Sequence, residues 1–79
     1  MPLFFLHVRD GDRLIRDPDG SVFRDLEAVR SEAIESAREL MASGIADGGR
    51  IGIERSMVVC DASGTELLVV PFRDAIARS

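Results

Sequence analysis

The stretch Asp25–Gly44, DLEAVRSEAIESARELMASG, is the only segment of this 79-residue sequence with sustained helical periodicity. At 3.6 residues per turn its apolar side chains fall on one arc and most of its charged side chains fill the opposite side. The pattern predicts an amphipathic helix over residues 25–43, with Asp25 as the N-cap because its carboxylate can accept from free N–H groups of the first turn. Gly44 is predicted to end the helix, since glycine readily adopts the left-handed conformation of a C-terminal cap. The apolar arc consists of Leu26, Val29, Ala33, Ile34, Ala37, Leu40 and Met41.

Two β-hairpins are predicted around this helix, over residues 3–16 and 56–72. The first opens with LFFLHVR, which is rich in strand-forming residues, and Asp10-Gly11 suits a type I′ turn, in which both central residues need positive φ. A turn is predicted over residues 17–20, DPDG, where Gly20 supplies a positive φ, followed by a short extended piece. Residues 61–64 repeat the D-x-x-G pattern inside the second hairpin, at an offset that does not indicate duplication.

These elements predict a single α+β domain over residues 1–79 with the order β-β-α-β-β. A glycine-rich loop is predicted over residues 44–55, and the tail over residues 73–79 either adds a helical turn or frays. The first and last strands are the most apolar, so we expect them at the centre of a four-stranded sheet, in the order 2-1-4-3. Pro71 counts against that order, because proline cannot donate to a strand ladder.

One helix covers one face of a sheet, so apolar residues on the other face need a different cover. By alternation, Leu3 and Phe5 of the first strand and Leu67 and Val69 of the last strand lie there. An exposed apolar face on a small domain usually marks an interface. We therefore predict a homodimer or a protein partner at this face, with cover by the glycine-rich loop as the alternative.

Composition excludes several functional classes. The net charge is −4, all ten basic residues are arginine, and Trp and Tyr are absent, which argues against nucleic-acid binding. The apolar run at residues 3–6 is too short for a membrane span and lacks the basic flank of a signal peptide. Cys60 is the only cysteine and has no internal disulfide partner, which favours a cytoplasmic location. We expect an acidic protein that needs no cofactor.

No catalytic or metal-binding motif is visible in the sequence. His7 would need a nucleophile and an orienting carboxylate to act as a base, so we interpret it as a structural histidine, and Cys60 as a small buried side chain. The aspartates around residues 10–19 lack the spacing of a calcium loop. We expect a non-catalytic interaction module. The alternative is a regulatory domain that binds a small anion through His7, Arg30, Arg50 and Arg55, and an enzyme using His7 is a third hypothesis.

Three motifs carry a resemblance to a known family. FFLHVRDG at residues 4–11, DLEA at residues 25–28 and VPFRDA at residues 70–75 are similar to a family of short, uncharacterised bacterial proteins classed as a domain of unknown function. Leu6 stands where the family pattern has an aromatic residue, and Leu3 replaces a polar one. The resemblance implies no activity, cofactor or substrate. In architecture the chain also resembles antitoxins of the HicB kind, which place a β-hairpin before a helix, and that likeness implies partner binding.

Overall fold

The computed structural model describes residues 2–48 and 52–77. It shows an α+β domain in which one main helix packs on one face of an antiparallel sheet, as the sequence predicts. The elements in chain order are β1 (Leu3–Asp10), β2 (Arg13–Ile15), β3 (Ser21–Val22), α1 (Leu26–Gly48), β4 (Ser56–Asp61), β5 (Glu66–Pro71) and α2 (Phe72–Ala77).

The strands are arranged in the order β2-β1-β4-β5, and β3 pairs with the start of β1 on the same edge as β2. The predicted order 2-1-4-3 counts four strands and places the last of them, residues 65–72, beside β1. In the structure β4 lies beside β1 instead, so the predicted order is wrong. The predicted strand count is also wrong, because β3 is a fifth strand. Pro71 explains the difference. The Phe72 N–H donates to the Arg55 carbonyl across the ladder at 2.9 Å, so alternation turns the nitrogen of Pro71 toward the open edge of β5. A missing N–H costs no ladder bond there.

Helix α1 begins where the sequence predicts and ends later. Asp25 is the N-cap, since its Oδ1 accepts from the Ala28 N–H at 2.8 Å. Gly44 was predicted to end the helix, and that prediction is wrong, because α1 continues to Gly48. A glycine inside a helix costs only about 1 kcal/mol relative to alanine, and no proline follows to break the hydrogen bonding. The predicted loop over residues 44–55 is thus helical in its first part, and residues 49–51 lie outside the described residues.

The first hairpin turn is shifted by one residue from its prediction. Asp10 pairs with Arg13, so the central residues are Gly11 and Asp12. Gly11 has φ 62°, whereas no residue other than glycine has a positive φ in the described ranges. That is the φ pattern of a type II′ turn, which needs glycine only at its first central position, and not of the predicted type I′ turn.

The core lies between α1, α2 and the sheet. The tail predicted to add a helical turn or fray forms α2, in which Phe72 and Ala75 are buried. Leu26 and Leu40, although both belong to the predicted apolar arc, stay partly exposed at 43% and 40%. The buried hydrophobic cluster consists of Phe4, Val29, Ala33, Ala37, Met41, Met57, Val59, Val70, Phe72 and Ala75.

Candidate functional site

The sheet face turned away from α1, here called the open face, carries the residues predicted as an interface. Leu6 and Val8 pack against the core cluster with Phe4, so by alternation the intervening residues of β1 point away from the helix. The register places matching residues of β4 and β5 beside them. The open face consists of Leu3, Phe5, His7 and Arg9 of β1, Val58 and Cys60 of β4, and Glu66, Leu67 and Val69 of β5.

The centre of the open face is closed by its own long side chains. Val58, Cys60 and His7 expose only 1%, 5% and 7% of their surfaces. Arg9 lies opposite Ser56 and Glu66 lies opposite Cys60, so their charged groups, 2.6 Å apart, meet across β4 over Val58. The methylenes of an arginine can cover apolar surface while its guanidinium remains in water. Much of the cover for the open face, which the sequence predicted from a partner, is therefore provided within the chain.

The residues predicted to form an interface differ in how much of their surface is exposed. Leu67 and Val69 expose 39% and 42% of their surfaces on β5, which is an edge strand of the sheet. Leu3 exposes 38% at the start of β1. Phe5 is half-buried, because its ring lies against the backbone of Gly20. The exposed apolar surface of the open face is thus concentrated on β5.

The turn at residues 17–20 occupies the gap between β2 and β3. The Asp17 N–H donates to Nδ1 of His7 at 2.9 Å, and the Asp17 carboxylate accepts from the Leu6 N–H at 3.2 Å, so Asp17 pairs with β1 where no strand does. The same carboxylate accepts from the N–H groups of Asp19 and Gly20. Burial opposes ionisation of Asp17, but these three backbone donors outweigh it and lower the pKa of the carboxyl group.

A second D-x-x-G turn, at residues 61–64, lies next to the first. The Asp61 Oδ1 accepts from the Ser63 hydroxyl at 2.7 Å and from the N–H groups of Ser63 and Thr65, and these bonds lower the pKa of Asp61. Both turns line one cleft of about 430 Å³ beside Phe5 and His7. The antiparallel register of β1 and β4 brings the two turns together, and the repeated D-x-x-G pattern in the sequence did not predict this proximity.

The residues predicted to bind an anion are not brought into one site. His7 lies on the open face, with its Nδ1 accepting from Asp17. Arg30 is exposed on α1, on the opposite side of the sheet, where it lines a shallow groove with Leu68. The Arg55 Nε donates to Oδ2 of Asp10 at 3.1 Å. Arg50 lies outside the described residues.

Cys60 lies under the open face as a free, buried thiol. Burial raises the pKa of this thiol, and the nearby carboxylates of Glu66 and Asp61 raise it further. A thiol that resists ionisation is a poor nucleophile. Among the described residues no three potential ligands are grouped closely enough to hold a metal ion.

A groove also exists on the helix side of the sheet. Helix α1 packs over β4 and β5, which leaves a space of about 500 Å³ between α1 and the part of the sheet formed by β1 and β3. The sequence does not predict this groove, because the groove depends on which strands the helix covers, and that follows only from the strand order. This acidic groove is lined by Leu6, Val8, Asp17, Ser21, Phe23, Glu32, Ser36, Glu39, Leu40, Ser43 and Met57.

A family model described as a domain of unknown function, DUF6894, matches residues 3–73. The chain belongs to this family. DUF6894 membership confirms the resemblance to a family without assigned activity. No curated protein and no solved structure matches the chain significantly. In the described part of this DUF6894 domain, no helix has both the length and the apolar character needed to cross a bilayer.

Proposed function

We propose that the protein is a non-catalytic interaction module that forms a homodimer through the β5 side of its open face. One observation carries the proposal. Leu67 and Val69 expose 39% and 42% of their surfaces on an edge strand, although the residues beside them on β4 are almost fully buried. Apolar side chains grouped on an unpaired strand are typical of a surface that associates.

The unpaired backbone of β5 also favours association at this surface. The Phe72 N–H points toward β4, where it donates to the Arg55 carbonyl. Backbone groups of successive strand residues point to alternate sides, so the N–H and C=O of Val69 point away from β4, toward the open edge. An extended segment can pair with such an edge, and its side chains then pack beside Leu67 and Val69.

A second copy is the occupant that the charges favour. On the open face the guanidinium of Arg9 and the carboxylate of Glu66 neutralise each other within one chain. Two such faces can therefore meet around a twofold axis without bringing unpaired like charges together, despite the net charge of −4. A domain of this size buries only about 60% of the surface that its unfolded chain exposes, so association adds stability that a small core lacks.

The experiment is light scattering over a concentration series, comparing the wild type with Val69→Asp. Ile15→Asp is the matched control, because Ile15, with 45% of its surface exposed against 42% for Val69, lies on β2 at the opposite edge of the sheet. Phe5→Asp is a poorer probe, since the ring of Phe5 packs against Gly20 and its loss would perturb the fold. We expect a dimeric wild type, a dimeric Ile15→Asp variant and a folded, monomeric Val69→Asp variant. A wild type that stays monomeric at high micromolar concentration would reject the proposal.

A further inference from the structure

The acidic groove has the width of one missing helix. Neighbouring strands lie about 4.8 Å apart and a helix with its side chains is about 10 Å across, so one helix covers roughly two strands. Helix α1 covers β4 and β5. Phe4 of β1 is buried in the core, but Leu6 and Val8 on the same face are only partly buried where they line the groove, and Phe23 is partly buried beside them.

The rim of the acidic groove carries negative charge that no cation among its described lining residues balances. Glu32 and Glu39 are exposed on α1, and neither has an ion pair among the described residues. Asp17 adds a third carboxylate, held ionised by its backbone donors. The remaining polar side chains of the described lining are serines, and no arginine or histidine is among the described residues that line the groove. The groove is therefore complementary to a cationic ligand with an apolar side.

We infer that the acidic groove binds a basic amphipathic helix of a partner protein, which completes the helical layer over β1 and β3. Glu32 and Glu39 are seven residues apart on α1, or about 10.5 Å along the helix axis. A partner helix lying alongside α1 meets both carboxylates when two of its basic residues are also seven positions apart. Its apolar stripe then packs on Leu6, Val8 and Phe23, in the manner of helix-in-groove recognition.

A second copy of this chain does not fit the acidic groove. Among the described residues, the exposed side of α1 carries four glutamates and two arginines, a net charge of −2, which the glutamates of the rim would repel. The groove also lies on the other side of the sheet from Leu67 and Val69. Partner binding in the groove and self-association at β5 are therefore independent.

The test uses a synthetic 15-residue peptide of leucine, alanine and arginine, with a leucine stripe on one face and arginines seven positions apart, followed by fluorescence anisotropy. A peptide of the same composition with its leucines scattered around the helix is the first control. The protein variants are Glu32→Gln/Glu39→Gln and, on other parts of the same helix, Glu27→Gln/Glu35→Gln. All four glutamates are exposed, so all variants should fold, which circular dichroism verifies.

We expect saturable binding of the stripe peptide, weakened about 2- to 5-fold for each glutamate removed from the rim, as typical of exposed ion pairs. The Glu27→Gln/Glu35→Gln variant should bind within twofold of the wild type, and Val69→Asp should leave the affinity unchanged. Amide NMR shifts on binding should be largest at Leu6, Val8 and Phe23. Equal weakening by both glutamine pairs, or equal binding of the scattered peptide, would show non-specific charge attraction and overturn the inference, as would the absence of binding.

Discussion

The backbone N–H of Asp17 donates a hydrogen bond to Nδ1 of His7 at 2.9 Å, and this bond ties the turn between β2 and β3 to the centre of the sheet. Because Nδ1 accepts, the neutral imidazole carries its proton on Nε2. His7 exposes only 7% of its surface. Asp17 therefore takes the place of a strand partner of β1 at the point where the edge of the sheet is interrupted between β2 and β3.

Two substitutions of His7 distinguish the contribution of its hydrogen bond to stability from the contribution of its packing. His7→Phe keeps a ring but leaves the Asp17 N–H without an acceptor, so we expect a loss of about 1–3 kcal/mol in the free energy of unfolding. His7→Asn can place Oδ1 near the position of Nδ1, and it should retain a resolved Asp17 amide with slow hydrogen exchange. Urea denaturation gives the stabilities. If exchange of the Asp17 amide is equally slow in His7→Phe, the hydrogen bond is not what protects it.

Asp17 should make the stability depend on acid pH. Its folded-state pKa lies below the usual 3.8, so its ionised form stabilises the fold above that pH, and the contribution is lost as pH falls through the folded-state value. We expect Asp17→Asn to be about 1–2 kcal/mol less stable than the wild type at pH 7, since it loses charge-assisted hydrogen bonds. The difference should shrink below pH 4. Urea unfolding at pH 7, 5, 4 and 3 measures it, and a constant difference would contradict the assignment.

Alanine substitutions at Gly20 and Gly64 compare backbone strain alone, at Gly64, with backbone strain plus a steric clash, at Gly20. Both have positive φ, at 70° and 90°, which costs an alanine about 1–2 kcal/mol. A Cβ on Gly20 would lie 2.8 Å from Cε2 of Phe5 and 3.0 Å from the Phe4 carbonyl oxygen, whereas nothing lies within 4 Å at Gly64. Gly20→Ala should therefore lower the thermal midpoint clearly more than Gly64→Ala. Equal shifts would mean that Phe5 moves aside without cost.

Local patterns in the sequence predicted the helix and most of the strands. They did not predict the strand order, because it depends on pairing between residues far apart in sequence. The periodicity of residues 25–43 and the side chain of Asp25 identify the helix and its start, because both signals lie within a few residues. The strand order depends on which strand is buried on both faces. Residues 56–61 read as less apolar than residues 65–72, yet β4 is the buried strand, because it lies between β1 and β5 with α1 on one face, while Arg9 and Glu66 meet across the other.

The same limit applies to the candidate sites. Alternation along single strands correctly assigned Phe5, Leu67 and Val69 to the face away from the helix. It could not show that the centre of that face is closed, nor that α1 leaves the β1 side of the opposite face open. Glu32 and Glu39 looked like ordinary solvated residues of an amphipathic helix. Their proximity to Leu6 and Phe23 follows only from the position of α1 over β4 and β5.

The Arg9 side chain should stabilise the open face through its methylenes more than through its charge. An exposed ion pair such as Arg9–Glu66, with side chains 41% and 49% exposed, contributes at most about 1 kcal/mol. Arg9→Met keeps an apolar stem over Val58 and should change the free energy of unfolding by less than about 0.5 kcal/mol. Arg9→Ala uncovers Val58 and should cost about 1 kcal/mol or more. Equal losses in the two variants, measured by urea denaturation, would assign the effect to the ion pair.

Cys60 should control the stability of the protein at alkaline pH. The sequence has no lysine and no tyrosine, so between about pH 8.5 and 11 this thiol is the only side chain expected to titrate. Its folded-state pKa is raised by burial and by Glu66 and Asp61. The stability that it contributes is thus fully present below the unfolded-state pKa and falls as pH rises from there toward the folded-state value.

We therefore expect the free energy of unfolding of the wild type to decline from about pH 8.5 upward, and that of Cys60→Ala to stay flat over the same range from a lower starting value. Reaction of the native thiol with iodoacetamide at pH 8.5 should be at least about tenfold slower than in urea, because only the thiolate reacts. The two measurements are independent, since one reports the equilibrium and the other the accessible thiolate. Parallel declines in wild type and Cys60→Ala would show that the alkaline loss does not come from this thiol, and rapid alkylation of the folded protein would show that the open face does not shield it.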